Sequence, residues 1–310
     1  TVENGKIKNH SAGHITTPEA SELIEYLEGE LGGKALAGDN ISGHLFTGVS
    51  YRHIIKVAGG SKNIECTPPH DVPGTRFADV MVRALDEQSR ETAEYLNALT
   101  LRSQELLGSH PVNKKRIAEG KDPANSVWLW SPGYRPKMET LNERYGIGEG
   151  SVISAVDLIK GIGKLAGLNP IEVVGATGLH DTNYEGKAEA AIKALTQEDF
   201  VFLHIEASDE AGHEGNAALK VKTIEYLDSR VVGPILNELP GWDEPVTIAL
   251  LPDHPTPCEV RTHTSEPVPF IIYKPGTMPD NVTVYDEFAA KPGSYGLLEA
   301  PQFMEKLFER

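Results

Sequence analysis

The chain has 310 residues, which is more than one compact core usually holds, so we expect two lobes. It carries 45 Asp and Glu against 29 Lys and Arg, a formal net charge of -16, which argues against nucleic acid or an anionic membrane as the main partner. Two cysteines make no disulfide framework, and no apolar run reaches membrane-spanning length or resembles a signal peptide. We therefore predict a cytoplasmic protein.

The first lobe has an α+β pattern. An Asn-Gly pair at 4–5 predicts a hairpin, and Thr17 before Pro18 predicts the start of a helix that ends at the glycines 32–33. Further strands are expected at 43–47, 51–57 and 127–130, with a long helix over 86–107. Three glycines within 146–150 suggest a hinge, so we place one domain at 1–149 and a second at 150–310.

The second lobe alternates strands and helices. Strands are predicted at 152–156, 171–176, 200–207 and 246–251, and helices at about 157–165, 185–195 and 216–239. This alternation is typical of an α/β fold with a mainly parallel sheet flanked by helices.

Acidic and imidazole side chains follow two of these strands. Asp209 and His213 come after the strand near 200, and they are four residues apart, so one helical turn would place both on one face. Asp253 and His254 come after the strand near 246, and His263 lies nine residues further on. Since the carboxyl ends of parallel strands share one edge of a sheet, we expect these five side chains to converge.

The ligand types restrict the metal. Carboxylate oxygen and imidazole nitrogen without thiolate suit Zn, Mn, Fe or Co, and five ligands are too many for one tetrahedral site and fit two ions. Each residue alone could be an ordinary turn residue. Clustered behind two buried strands, the set favours a metal site.

A basic pocket for an anion is expected in the first lobe of this acidic chain. Arg52, His53, His70 and Arg135 are the candidates, because guanidinium groups bind phosphate and carboxylate well. Solvated surface charge is the alternative for each of them. In the second lobe, the loop at 175–184 could be a substrate loop or simple turn chemistry, and His204 has the setting of a core histidine.

Ten segments together resemble one family, the archaeal-type 2,3-bisphosphoglycerate-independent phosphoglycerate mutases of the alkaline phosphatase superfamily. They are SAGHI at 11–15, TGVSYRH at 47–53, TPPHD at 67–71, SVWLW at 126–130, ISAVDLIKGIG at 153–163, GATG at 175–178, DTNYEGK at 181–187, HIEA at 204–207, DEAGHEG at 209–215 and HTSEPVPF at 263–270. The resemblance covers essentially the whole chain.

The resemblance implies an alkaline-phosphatase-like α/β domain with an inserted α+β substrate-binding domain. It implies two divalent metal ions, with Mn expected and Zn, Co or Mg as alternatives, and no 2,3-bisphosphoglycerate as cofactor. Asp209, His213 and His263 match the ligands of one ion, and Asp253 and His254 match ligands of the other. The implied activity is that of a glycolytic isomerase that interconverts 3-phosphoglycerate and 2-phosphoglycerate through a phosphoserine.

One departure from the family pattern bears on activity. The family's metal-binding Asp-Gly and its nucleophilic serine lie in an N-terminal segment, and nothing in this chain matches either motif, so we expect the 310 residues alone to be inactive. Other metal-dependent phosphoryl transfer remains an alternative, including phosphatase, phosphodiesterase or homoserine-kinase-like activity. A non-catalytic binding fragment is the alternative from another class.

Overall fold

The computed structural model of the chain describes residues 1–309 and divides into two compact units, Thr1–Pro136 and Lys137–Arg310. The glycine-rich junction predicted after residue 149 lies within the second unit. The assignment of a substrate-binding domain to 1–149 and of a metal-binding domain to 150–310 stays a prediction.

The first unit combines three antiparallel ribbons with three helices. Its strands are β1 (Val2–Glu3), β2 (Lys6–Ile7), β3 (Ser42–Phe46), β4 (Ile54–Ala58), β5 (Ile64–Glu65) and β6 (Arg83–Ala84), paired β1–β2, β3–β4 and β5–β6. Its helices are α1 (Thr17–Leu31), α2 (Arg90–Leu107) and α3 (Pro111–Ala118). The predicted Asn-Gly hairpin is confirmed, because Asn4 (φ 51°) and Gly5 (φ 73°) both adopt the left-handed conformation between β1 and β2.

Helix α1 begins one residue earlier than its sequence predicts. Thr16, rather than Thr17, is the N-cap, and the Glu19 carboxylate accepts hydrogen bonds from the Thr16 backbone N–H (3.1 Å) and hydroxyl (2.7 Å). An apolar stripe is buried along this helix, with Leu23, Ile24 and Leu27 in the core.

The strand predicted at 127–130 is absent from the described residues. The Val127 N–H donates to the Ser103 hydroxyl (3.0 Å), and the Trp128 indole N–H donates to the Thr67 carbonyl (2.8 Å). The hydrogen bonds of this segment are made to a side-chain hydroxyl and a loop carbonyl, and not to a neighbouring strand. The apolar run therefore packs without forming a sheet.

The second unit contains the predicted parallel sheet. Strands β7 (Gly150–Ile153), β8 (Asn169–Ile171) and β9 (Phe200–Leu203) pair in the order β8-β7-β9, and both pairs are parallel. The helices are α4 (Leu141–Tyr145), α5 (Asp157–Leu165), α6 (Tyr184–Leu195), α7 (Ala207–His213), α8 (Ala217–Leu227), α9 (Gly233–Glu238) and α10 (Ala300–Phe308). Helix α5 connects β7 to β8 and α6 connects β8 to β9, which confirms the α/β alternation.

Two predicted elements differ in the second unit. The strand expected at 171–176 ends at Ile171, because the chain turns through Gly175 (φ 78°) toward α6. The helix expected over 216–239 consists of α8, the π-helical turn Asp228–Val232 and α9.

Strand β10 (Ile248–Leu250) was expected in the parallel sheet, and in the part of the chain that the structure describes it pairs with β11 (Ile271–Tyr273). The pairing is antiparallel, because the chain after β10 loops back on itself through the proline-rich segment that carries the remaining candidate ligands. The strand exists as predicted, but its partner is different.

Candidate metal centre

Helix α7 carries the first two candidate ligands. Ala207 and Ala211 are fully buried and four residues apart, so they fix one face of the helix against the core of the second unit. Asp209 and His213, also four apart, share another face, and His213 Nε2 lies 3.3 Å from Asp209 Oδ2. The predicted shared face is confirmed.

The loop that follows β10 brings His263 to this face. It folds back through hydrogen bonds from the Arg261 N–H to the Pro257 carbonyl (2.8 Å) and from the Thr264 N–H to the Pro255 carbonyl (3.1 Å). Arg261 adopts a left-handed conformation (φ 59°), which is uncommon for a residue with a side chain and often marks a functional segment.

Gly212 allows the loop to sit directly on α7. A β-carbon at this position would lie 2.3 Å from the Thr256 carbonyl oxygen, a backbone atom that cannot yield as a side chain could. The Lys220 ammonium of α8 donates to the same carbonyl at 2.6 Å. A glycine is therefore required in α7 where the two segments cross.

Three ligand atoms converge as a metal would require. One side-chain atom each of Asp209, His213 and His263 lies within 4.8 Å of the others, His213 Nε2 lies 3.1 Å from His263 Nε2, and His263 Nε2 lies 3.7 Å from Asp209 Oδ1. Ligands about 2.1 Å from an ion in tetrahedral geometry are about 3.4 Å apart. The observed spacings bracket that value, so the three residues fit one divalent ion.

The protonation of His213 also suits a ligand. Its Nδ1 lies 3.1 Å from the Arg261 carbonyl, which can only accept, so Nδ1 donates this hydrogen bond and Nε2 is the nitrogen available to an ion. Nε2 faces Asp209 and His263. The backbone of the loop thus orients the imidazole from behind.

The second predicted pair lies beside this trio. The rings of His254 and His263 stack with centroids 3.7 Å apart, and His254 Nδ1 lies 4.0 Å from Asp209 Oδ1. Asp253 joins through His254, whose Nε2 lies 3.3 Å from Asp253 Oδ2. The five candidates are contiguous, and the assignment of Asp253 and His254 to a second ion stays a prediction.

Two contacts of this centre were not anticipated from the sequence. The Thr256 hydroxyl donates to Asp209, and Thr256 is only 3% exposed. Thr256 lies between Pro255 and Pro257 in the same run as Asp253 and His254, and Gly212 precedes His213 directly. Their positions inside the ligand motifs were the available signal, but their roles depend on the crossing of two segments distant in the chain.

His204, just after β9, is a partly buried polar residue at the carboxyl end of the parallel sheet. His204 Nδ1 lies 3.1 Å from the Ser154 hydroxyl, and its pKa is lowered, chiefly by burial. The Lys187 ammonium donates to the His204 carbonyl at 3.2 Å, and burial lowers the pKa of Lys187 to about 8, although the charge of Glu206 opposes this. His204 is placed among core contacts, as expected.

The loop between β8 and α6 is held by its own side chains. The Thr177 hydroxyl donates to Asp181 (3.0 Å), the Thr177 N–H donates to the Thr182 hydroxyl (3.0 Å), and the Tyr184 hydroxyl donates to the His180 carbonyl (3.1 Å). These contacts are turn chemistry. A substrate role for the loop remains open.

The first unit has its own imidazole cluster, which includes two of the four predicted clamp residues. The His70 ring packs edge-on against Trp130 (5.3 Å between centroids) and His10 (5.7 Å), and His10 packs edge-on against Tyr51 (5.3 Å). The Arg52 guanidinium lies over the Tyr51 ring at 5.2 Å. The pKa of His10 is lowered, first by burial and then by His70, His14, the N-terminus and Arg52.

The other two predicted clamp residues are placed differently. His53 Nδ1 accepts the Gly48 N–H (3.1 Å), and burial lowers its pKa, so this imidazole is held in a turn. Arg135 is exposed near the end of the first unit. His10 and His14, which complete the cluster, were missed because they lie before the motifs that were read as the clamp.

Comparison with known proteins matches nearly the whole chain. A family model described as Metalloenzyme superfamily matches residues 1–308. A 2,3-bisphosphoglycerate-independent phosphoglycerate mutase of Methanosarcina acetivorans is 51% identical over 310 residues, which are 99% of this chain and 74% of that protein. A relative of Methanothermobacter thermautotrophicus, named 2,3-bisphosphoglycerate-independent phosphoglycerate mutase 2, is 44% identical over 98% of this chain and 72% of its own length.

Two solved structures have the same fold. The PH0037 protein from Pyrococcus horikoshii superposes with a TM-score of 0.76 at 27% identity, over 99% of this chain and 75% of that one. The cofactor-independent phosphoglycerate mutase from Thermoplasma acidophilum gives a TM-score of 0.60 at 25% identity, with the same two shares covered. None of the helices in residues 1–309 combines the length and apolar character needed to cross a bilayer. The predicted fold class is confirmed, and the chain belongs to the 2,3-bisphosphoglycerate-independent phosphoglycerate mutase family within the metalloenzyme superfamily.

Proposed function

We propose that these residues form the metal-binding part of an enzyme that interconverts 3-phosphoglycerate and 2-phosphoglycerate. The observation that carries the proposal is the convergence of Asp209, His213 and His263, with ligand atoms spaced as one ion requires, in a chain that is 51% identical to a protein named as such a mutase. The reaction is an intramolecular transfer of a phosphoryl group between two hydroxyls of glycerate.

Two divalent ions, with Mn preferred and Zn, Co or Mg as alternatives, are proposed as the cofactors. Asp209, His213 and His263 would hold one, and Asp253 and His254 would contribute to the other. Such ions neutralise the charge of a phosphoryl group and lower the pKa of an attacking hydroxyl. The candidate ligands are oxygen and nitrogen donors, with no thiolate among them. The nearby Cys258 thiol instead contacts the Ala211 carbonyl, with Sγ 4.0 Å from the oxygen.

A backbone carbonyl and a hydroxyl beside the ligands hold them in place. The Arg261 carbonyl fixes the ring of His213, and the Thr256 hydroxyl fixes the carboxylate of Asp209. Positioning before the substrate arrives limits the reorganisation needed during phosphoryl transfer. The loop after β10 therefore serves as the frame of the site.

The imidazole cluster of the first unit is proposed as the clamp for the anionic substrate. It gathers His10, His70 and Arg52, with His14 near enough to lower the pKa of His10, in a chain whose net charge is -16. Among residues 1–309, four of the six non-glycine residues with a left-handed backbone lie in the segments that carry this cluster, namely Ala12, His14, Ser50 and Ser131. Strained backbone of this kind is often kept for ligand binding.

The phosphoryl acceptor is proposed to be a serine outside these 310 residues. The proposal rests on the motifs, because none in the chain matches the serine motif that the family resemblance implies. The chain spans about three quarters of the length of its curated relatives, 74% of the protein from Methanosarcina acetivorans.

A cytoplasmic location, with neither nucleic acid nor membrane as a partner, is proposed on charge and cysteine content alone.

The function is tested with ³¹P NMR of 3-phosphoglycerate incubated with the full-length protein, with and without Mn²⁺. The expected result is Mn²⁺-dependent appearance of 2-phosphoglycerate without release of inorganic phosphate. Release of phosphate alone would establish a phosphatase instead. Turnover by the 310-residue chain alone would contradict the proposed acceptor and direct the search to Thr177, whose hydroxyl lies in the loop after β8.

A further inference from the structure

The Thr256 hydroxyl lies between the two groups of candidate ligands. Its oxygen contacts Oδ1 of Asp209, which belongs to the first group, and lies 3.3 Å from Nδ1 of His254, which belongs to the second. Thr256 itself is only 3% exposed, and both contacts are partly buried.

The direction of these hydrogen bonds follows from the groups involved. An ionised carboxylate only accepts, so the single hydroxyl proton of Thr256 is directed to Asp209. The hydroxyl oxygen can then only accept from His254, so His254 Nδ1 must carry a proton. A neutral imidazole protonated at Nδ1 has its lone pair at Nε2.

The other ring nitrogen of His254, Nε2, lies beside Asp253, its partner in the second candidate ligand pair. His254 Nε2 lies 3.3 Å from Asp253 Oδ2, close to the spacing of about 3.4 Å expected for two ligand atoms that share one ion. His213 is set in the same way, with Nδ1 on the Arg261 carbonyl and Nε2 toward Asp209. In His213 a backbone carbonyl engages Nδ1, and in His254 a threonine hydroxyl does so. In both histidines Nε2 is therefore the nitrogen available to an ion.

The position of Thr256 is itself fixed from two sides. Its carbonyl packs against Gly212, where a β-carbon would approach to 2.3 Å, and accepts the Lys220 ammonium at 2.6 Å. The backbone of Thr256 is consequently held at the crossing of α7 and the loop.

We propose that Thr256 is a positioning residue that sets the tautomer of His254, so that Nε2 is the metal-binding nitrogen, and that links the two ligand groups into one centre. The inference rests on the proposed metal site and deepens it. A hydroxyl that orients a ligand histidine typically changes metal affinity by about 10- to 100-fold when removed.

The test uses Thr256→Val, which keeps the shape and removes the hydroxyl, and Thr256→Ser, which keeps the hydroxyl. Thr223→Val is the matched control, because Thr223 is a fully buried threonine of the same unit whose hydroxyl donates to the Lys220 carbonyl at 2.8 Å. In metal-free, ¹⁵N-histidine-labelled protein, the nitrogen shifts of His254 should show protonated Nδ1 in the wild type, in Thr256→Ser and in Thr223→Val. Thr256→Val should lose that preference.

Titration with Mn²⁺ gives the second readout. Thr256→Val should weaken binding of at least one ion by about 10- to 100-fold, whereas Thr256→Ser and Thr223→Val should remain close to the wild type. A neutral wild-type His254 with its proton on Nε2, or unchanged His254 shifts in Thr256→Val, would overturn the proposal. Should Thr256→Val not fold, the wild-type and Thr256→Ser shifts still decide the tautomer. The shifts require neither metal nor turnover, so their outcome is separate from that of the mutase assay.

Discussion

Lys187 is the most completely buried lysine of the second unit, with 1% of its surface exposed. Burial lowers its pKa from 10.5 to about 8, against the opposing effect of Glu206. A base whose folded pKa lies below its unfolded value destabilises the fold while both states are protonated. That penalty is present below about pH 8 and is relieved as the pH rises toward 10.5.

We therefore expect the free energy of unfolding of Lys187→Met, relative to that of the wild type, to be highest near neutral pH. The difference in the free energy of unfolding should shrink between about pH 8 and 10 by up to roughly 3 kcal/mol. Urea denaturation across this range measures it, with Lys193→Met, an exposed lysine of the same helix, as the control. A pH-independent difference for Lys187→Met would show that the ammonium is not desolvated as described.

Gly212 provides a second prediction for a single residue. A methyl group there would meet the Thr256 carbonyl, so Gly212→Ala should lower the free energy of unfolding by about 1 to 3 kcal/mol and weaken Mn²⁺ binding, although alanine favours a helix. Gly161→Ala is the matched control, because that helical glycine of α5 has open space around its α-carbon. Equal stability of the two variants, measured by thermal unfolding, would contradict the close crossing.

In the first unit, Arg116 connects elements that are distant in the chain. Its guanidinium is buried, and it donates to Glu19 of α1 (2.8 Å), to the Asp122 carbonyl (2.9 Å) and to the Ala12 carbonyl (2.5 Å). Its removal would take this donor from the Asp122 and Ala12 carbonyls, and would leave the Glu19 carboxylate with only its hydrogen bonds from Thr16. The residue therefore ties α3 to α1 and to the loop before it.

Arg116→Met should lower the free energy of unfolding of the first unit by about 3 to 5 kcal/mol, because it leaves Glu19 without its buried partner. Scanning calorimetry measures the loss. Arg102→Met is the control, since the Arg102–Glu105 pair is exposed on α2 and such pairs contribute less than about 1 kcal/mol. Similar unfolding temperatures for the two variants would refute the role assigned to Arg116.

The same elements show what a sequence can predict. The helical period predicted α1, α2 and α6, because each has an apolar stripe and clear terminal residues. The caps or starts of α1 and α6 lie one residue earlier than predicted, and α2 begins at Arg90 rather than at 86, because Glu87–Ser89 form a 3-10 turn. The parallel strands β7 and β9 were predictable from their apolar runs, whereas β8 shares only Ile171 with the run predicted at 171–176. The run at 127–130 was not, because a sheet also needs a partner, and here the Ser103 hydroxyl takes the place of one.

For the candidate site, the ligand pairs were predictable because short spacings constrain their geometry. Asp209 and His213 share a helical face, whereas the approach of His263 depends on a loop that turns through Arg261. The partner of β10 and the roles of Thr256 and Gly212 depend on contacts between distant segments. Hydrophobic period and spacing do not encode such contacts.

At the scale of the whole molecule, family and fold are established by nearly complete coverage, with residues 1–308 matching the metalloenzyme superfamily. The two compact units divide the proposed work, with the metal centre in residues 137–309 and the imidazole cluster in residues 1–136. The central claim is that Asp209, His213 and His263 bind a divalent ion.

Calorimetric titration with Mn²⁺ tests this claim most directly, on the wild type and on Asp209→Asn, His213→Ala and His263→Ala. Each substitution removes one of the three ligands and leaves too few for tight binding. Each should therefore abolish Mn²⁺ binding at the Asp209, His213 and His263 site while the fold is retained. His180→Ala is the control, because His180 is an exposed histidine of the same unit and should leave binding unchanged. Wild-type affinity and stoichiometry in all three ligand variants would contradict the account.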